Sequence, residues 1–343
     1  MITEKRIPFS VLFDWTKSHL IWLTMWAVFS VAIYRITGWR WLALPWLPLS
    51  VVGTAVAFYV GFKNNFAYDR MWEARKIWGE ITNESRAWGI NVKAYITNQF
   101  TNEKLSAEQL HQIKSRLIKY HIAWMYQLRR QLLVVAHWEH ANLEGHYRKL
   151  ADRYRRDGIG QYEAEEVETA LENYMSLDDC NKIMSFANPA VQLIDMQSSY
   201  IASLRENDII EDFRHIEFQN MLRSFYYSQG KAERIKKYPL PRQYANMSLN
   251  FVGIFIFLLP FGMVGEMSKL GELGLWMSIP FTVLIGWVYV TMELIGDYSE
   301  NPFQGMGNDT PMFSICRNIE IDLLEMLGEK NIPNPIPIKN GIL

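Results

Sequence analysis

The sequence predicts an all-α integral membrane protein, with four transmembrane helices and a large helical cytoplasmic region. Three observations carry this. Four stretches are long and apolar enough to cross a bilayer, although a mean hydropathy of −0.09 over the whole chain is that of a soluble protein. Of the 13 tryptophans, several, Trp39, Trp41, Trp276 and Trp287 among them, gather near the ends of those stretches, where amphipathic rings meet the headgroup layer. Between the second and third stretch lies a long polar insert with apolar residues at helical spacing and almost no proline.

Residues 1–19 read as a cytoplasmic amphipathic helix with Ile7, Val11, Leu12 and Trp15 on one side. Asp14, Lys17 and His19 interrupt any apolar run that a signal peptide needs. Residues 20–63 hold the first two spans. The first, 20–36, is uncharged until Arg35, which can reach back to the interface. The second, 45–62, has Pro45 and Pro48 near its start, where a missing amide costs least. Residues 64–242 read as a helical cytoplasmic domain. Within it, 105–136 is opened by a Ser106/Gln109 capping box. Shorter helices are expected over 163–174 and 177–186, and another opens at Pro189. After a break at Asn207-Asp208, a helix over 209–229 is expected to stop near Gly230. Tyr238-Pro239-Leu240-Pro241 leads back to the membrane.

Residues 243–290 carry the third span (246–264, with Pro260 inside) and the fourth (275–290), joined by a loop over 265–274. Residues 291–343 form a cytoplasmic C-terminal segment with a helix over 312–327. Asp309 or Thr310 is its expected N-cap and Pro311 its first residue. Lys and Arg are sparse in the two short loops and plentiful elsewhere, which places both termini and the insert in the cytoplasm.

Composition excludes several functions. A formal net charge of −1 with no basic stripe argues against a nucleic-acid partner. Cys180 and Cys316 are the only cysteines and lack zinc or redox spacing, so buried or idle thiols in a reducing compartment are expected. No catalytic constellation or glycine-rich phosphate loop is present, and no enzyme is predicted. Secondary transport would want ionisable residues in mid-membrane and internal repeats, and neither is visible. A membrane-anchored scaffold remains as a rival.

The informative stretch is 47–79, where an apolar span becomes a polar helix without a break. At about 100° per residue, Thr54, Phe58, Gly61, Phe62, Asn65, Asp69 and Trp72 fall on one stripe. The stripe is either a helix–helix packing seam or the lining of a pore shared by several copies. Spacing alone leaves both open. Residues 293–312 group acids and amides beside Pro302, Gly305 and Gly307. They form either a loop capping the next helix or an oxygen-ligand site for a hard cation such as Ca²⁺.

Four spans around a long insert, FYVGF…YDRMWEAR in the second span, PFGMVGEM closing the third and ENPF…ND in the tail together resemble the bestrophin family, bacterial branch. The resemblance covers nearly the whole chain. It implies a homopentameric ion channel around a central pore, in the bacterial inner membrane, passing monovalent ions. Bacterial relatives include cation-conducting channels and animal relatives pass anions; a cation-selective channel is the first expectation, an anion channel the alternative.

The family's neck is three side-chain rings four residues apart. The register on Gly61-Phe62 implies Thr54, Phe58 and Phe62, with Thr54 standing where relatives carry Ile. A second, cytoplasmic aperture is implied at Phe213, with Ile209 and Ile210 as the alternative register. Asp69, below the neck, is expected to concentrate cations. The Ca²⁺ clasp of animal relatives is matched only at Asn301 and Asp309, since Met306, Gly307 and Asn308 replace most of its acids. No cofactor is therefore expected, and Ca²⁺ is not expected to be required.

Overall fold

The computed structural model describes residues 9–101, 103–139, 171–306 and 308–338, and every regular element among them is helical. In chain order these are α1 (Phe9–Thr37), α2 (Trp46–Tyr95), α3 (Ala107–Leu133), α4 (Leu177–Met184), α5 (Pro189–Glu206), α6 (Asp212–Lys237), α7 (Arg242–Met267), α8 (Gly271–Ser299) and α9 (Met312–Leu327). They divide into two compact units. One comprises Glu4–Arg70 and Pro239–Asn301; the other is built from Met71–Tyr238 and Pro302–Leu343. Residues 1–8 and 163–170, where sequence patterns predict helix, lie outside the described residues.

The first unit contains α1, the first half of α2, α7 and α8, with α1 packed on both α7 and α8. Among the described residues, three helical stretches are long and apolar enough to cross a membrane: Trp15–Thr37, Arg40–Tyr95 and Arg242–Ser299. The last is a hairpin. Ser268–Leu270 tightens into a 3₁₀ turn, and Gly271 at φ 82° adopts a conformation that side chains resist, so α8 returns along α7. Pro260 and Pro280 sit inside α7 and α8 without ending them.

Close packing in this unit depends on glycine. A Cβ added at Gly53 of α2 would lie 2.7 Å from the Phe255 ring of α7, and one at Gly286 of α8 would lie 2.8 Å from Leu23 of α1. Lipid tails are as apolar as leucine, so helices in a bilayer gain from intimate contact rather than from burial alone.

Several boundaries differ from those the composition suggests. The expected break at residue 19 is absent, because α1 runs unbroken from Phe9 to Thr37. Its polar N-terminal turns keep a packed side: Thr16 is fully buried and accepts from Trp287 Nε1 at 3.0 Å, and Trp15 meets Tyr298. α2, expected to run without a break over 47–79, continues to Tyr95 because its polar half keeps a buried apolar face through Ala74, Ile77, Trp78, Ile81, Trp88 and Val92. α8 likewise extends past residue 290 to Ser299. α6 begins at Asp212, where Glu211 caps the Phe213 and Arg214 amides, and it passes through Gly230 to Lys237. One interior glycine costs a helix about 1 kcal/mol, which burial of Phe225, Ala232 and Ile235 on either side offsets. α9 starts at Met312 after Pro311, with no side-chain cap from Asp309 or Thr310.

The second unit has a hydrophobic core in which Trp78, Trp88, Trp124, Phe218 and Phe225 are essentially fully buried. α3 packs on α5 and α9, and α5 on α6. The Ser106/Gln109 capping box opens α3. His121 sits in the middle, its Nε2 2.9 Å from Ser85 Oγ and its ring among Trp88, Trp124 and Phe225. Burial pushes the His121 pKa down to about 3, so the folded chain holds a neutral imidazole. The unfolded chain takes up that proton near pH 6.5. His121 therefore contributes its full stability above that pH. It loses this by about 1.4 kcal/mol per pH unit as pH falls from there toward 3. Thermal unfolding in detergent, followed from about pH 7 to about pH 5, should fall more steeply for the wild type than for His121→Gln. Equal slopes would remove His121 from the acid response.

Candidate functional site

The membrane half of α2 has two faces with different fates. Leu49, Gly53, Val56, Val60, Lys63 and Ala67, spaced by alternating fours and threes, are buried. On the other side Thr54, Phe58, Phe62, Asn65, Asp69 and Trp72 are exposed, Phe58 by 67% and Phe62 by 62%. The packing seam within the chain is therefore the Gly53 face and not the stripe through Thr54. Gly61, on the stripe, has nothing within 4 Å of where a Cβ would stand. A groove of about 430 Å³ runs along the stripe, lined by Thr54, Phe58, Gly61, Phe62 and Asn65 and closed on one side by Tyr289 of α8. Thr54 Oγ1 donates to Ser50 O at 2.9 Å, so its hydroxyl proton is committed to its own helix.

Polar ties hold the opposite side of the same segment. Tyr289 Oη donates to Gly53 O at 2.9 Å. Lys63 Nζ lies 2.5 Å from Glu293 Oε1 on α8, and Glu293 Oε2 accepts from Ser248 of α7 at 2.5 Å. Asn64 Nδ2 donates to Met292 O at 3.0 Å. Arg70 Nε donates to Glu300 O at 2.8 Å, while the Glu300 side chain pairs with Arg242 at 3.1 Å. The distribution of Lys and Arg used for topology does not single out Lys63, and its pairing was missed. The signal was present: Lys63 stands at the spacing of the buried face, where every neighbour is small or apolar.

In the other unit, Phe213 occupies the first turn of α6, its amide held by Glu211 Oε2 at 2.8 Å and its side chain 83% exposed. Ile210 is only 1% exposed and belongs to the core, and Ile209 packs against the same core. The turn through Asp208, at φ 52°, directs them inward. Of the three aperture candidates only Phe213 presents its side chain outward, and Ile210 is corrected to a core residue.

Asp309 is buried at 2% exposure, and its carboxylate faces three amides: Phe303 N and Thr310 N on Oδ1 at 2.9 and 2.7 Å, and Gly305 N on Oδ2 at 2.9 Å. Burial raises its pKa, opposed by those three hydrogen bonds and by Lys236. A carboxylate encircled by N–H donors presents the wrong sign of partial charge around it for a cation. Asn301 is buried separately, donating to Glu300 Oε1 at 3.1 Å. Among the described residues no three His, Cys, Asp or Glu side chains group as metal ligands. Cys180 and Cys316 are free and buried, and burial pushes the Cys316 thiol up to about 12.

This arrangement has known counterparts. Residues 9–325 match the family model described as Bacterial/Fungal Bestrophin protein. The voltage-dependent anion channel-forming protein YneE of Escherichia coli (strain K12) is 26% identical over 312 residues, covering 90% of this chain and 86% of that protein. The voltage-dependent anion channel-forming protein mll4386 of Mesorhizobium japonicum is 26% identical over 306 residues, covering 88% and 83%. Among solved structures, a bacterial bestrophin homolog from Klebsiella pneumoniae superposes with a TM-score of 0.73 at 22% identity, over 91% of this chain and 98% of that one. With apolar helices of spanning length and a family match over most of its residues, the chain belongs to the bacterial bestrophin family of membrane ion channels.

Proposed function

We propose that the chain crosses the bacterial inner membrane four times and assembles as a homopentamer around a central pore for monovalent ions. Both termini and the polar helical unit lie in the cytoplasm. Thr54, Phe58 and Phe62 form the neck, and Phe213 forms the cytoplasmic aperture. The observation that carries this is the exposed stripe on α2, opposite a fully packed seam. A stripe facing lipid would place Asn65 and Asp69 in or beside hydrocarbon, where polar and charged groups are costly. A stripe facing a shared axis gives those groups water and surrounds the axis with aromatic side chains. Such rings pass or block ions by wetting and dewetting. Replacing either Phe58 or Phe62 by Ala should raise single-channel open probability severalfold in planar bilayers. Wild-type gating in both variants would reject the neck.

Five exposed Asp69 carboxylates would raise the local cation concentration through a focused field, which favours cation conduction. The opposite sign has its own support, since the relatives from E. coli and Mesorhizobium are named as anion channel-forming proteins. Reversal potentials across an asymmetric salt gradient decide between them, with a cation-selective value expected. Asp69→Lys should move the value toward anions, and an unmoved value would exclude Asp69 from selectivity.

Ca²⁺ activation is not part of the proposal. The amides around Asp309 occupy both carboxylate oxygens, and the acids that give a clasp its charge are missing from the sequence. Open probability should stay flat when cytoplasmic Ca²⁺ is raised from a chelated level into the millimolar range. Steep activation would overturn this.

A further inference from the structure

α2 carries apolar side chains on both faces of its membrane half: Val56 and Val60 inside, Val51, Val52, Phe58 and Phe62 outside. In water such a helix is oriented by hiding one face. In a bilayer either apolar face is tolerated outside, so hydrophobic free energy alone does little to set its rotation. Contacts with α7 and α8 must do so, the close approach at Gly53 and the polar ties among them.

Lys63 is the one charged residue of α2 between Trp46 and Ala67, and Glu293 is the one charged residue of α8 between Leu273 and Gly296. The two meet. Lys63 Nζ lies 2.5 Å from Glu293 Oε1, with the two side chains 2% and 5% exposed. Ser248 of α7 donates to the second carboxylate oxygen at 2.5 Å. Asp297, one turn further along α8 and 31% exposed, stands 3.8 Å from the same ammonium. The charge therefore has one low-energy location, at the junction of three helices. Rotating α2 by one residue would strand both charges in a dry interior, and a buried ion without its partner is strongly destabilising. Phe62 is the next residue back along the chain, and Phe58 lies one turn earlier.

We infer that Lys63, clamped by Glu293 and Ser248, is a positioning residue that fixes the rotation of α2 and so aims Phe58 and Phe62 along the stripe. That this aim matters for conduction rests on the neck proposed above. The aim itself does not.

The test reads orientation and current separately. Full-length protein in membranes carries a cysteine at Phe62→Cys or at Val60→Cys, the latter on the buried face. The native thiols at 180 and 316 are buried and give a low background. Modification by a membrane-impermeant methanethiosulfonate should be fast at 62 and slow at 60. In the double variant Lys63→Met/Glu293→Leu, which leaves no lone buried charge, the 62-to-60 rate ratio should fall. The expected drop is roughly threefold to a hundredfold, the range over which contacting residues couple. Single-channel open probability should change with it. The exchanged pair Lys63→Glu/Glu293→Lys should restore the ratio. Ser248→Ala, a milder cut into the same clamp, should lower it less, and gives a second reading should the double variant fail to assemble. A ratio that is near one in the parent, or that stays at the parent value in the double variant and in Ser248→Ala, overturns the inference. A ratio that falls and is restored while currents stay at the parent level upholds the clamp and overturns the neck.

Discussion

The two-sidedness of α2 is the constraint on which the membrane unit depends. A helix commits each side chain to one direction, and residues three and four apart share it. Leu49, Gly53, Val56, Val60, Lys63 and Ala67 are spent on packing, which leaves the Thr54–Asp69 stripe for whatever lies outside the chain. Gly53 allows α7 to approach until its Phe255 ring occupies the space of a side chain. Tyr289, Lys63, Asn64 and Arg70 then tie the same side by hydrogen bonds and ion pairs. These interactions are strong where little water competes for them.

The second unit is held by different physics. Trp78, Trp88, Trp124, Phe218 and Phe225 leave water altogether, and the gain scales with apolar area at about 25 cal/mol per Å². His121 is carried inside that core as a neutral ring with one hydrogen bond to Ser85. Glu320 is also buried, receiving the hydroxyls of Tyr126 and Tyr174 and pairing with Arg317. The burial of Glu320 is matched by these three partners, as burial of a charged group requires.

Much of this was legible in the sequence. Helical periodicity named the stripe on α2, the capping box placed the start of α3, and the length of the apolar runs located the membrane helices. Ends were harder to read. Composition cut α1 at residue 19 because charge density changes there. A helix ends only where its backbone hydrogen bonds or its packing end, and Thr16 keeps both alive. Gly230 and Asp309 misled for a related reason. Each residue type has a local preference, to end a helix or to cap one, and packing around α6 and three loop amides overrode it. Long-range pairs were only half visible: the spacing of Lys63 marks a buried charge, but nothing local names a carboxylate 230 residues away as its partner.

The Thr54 hydroxyl gives its proton to Ser50 O within the helix. In the proposed assembly the outermost neck ring would thus offer five hydroxyl oxygens, each with its lone pairs, and five methyl groups, with no hydrogen-bond donor among them. A hydrated cation can exchange a water for such an oxygen. A halide can only brush the methyls, so the substitution of Thr for a fully apolar ring would tilt the entrance toward positive charge before any carboxylate is reached.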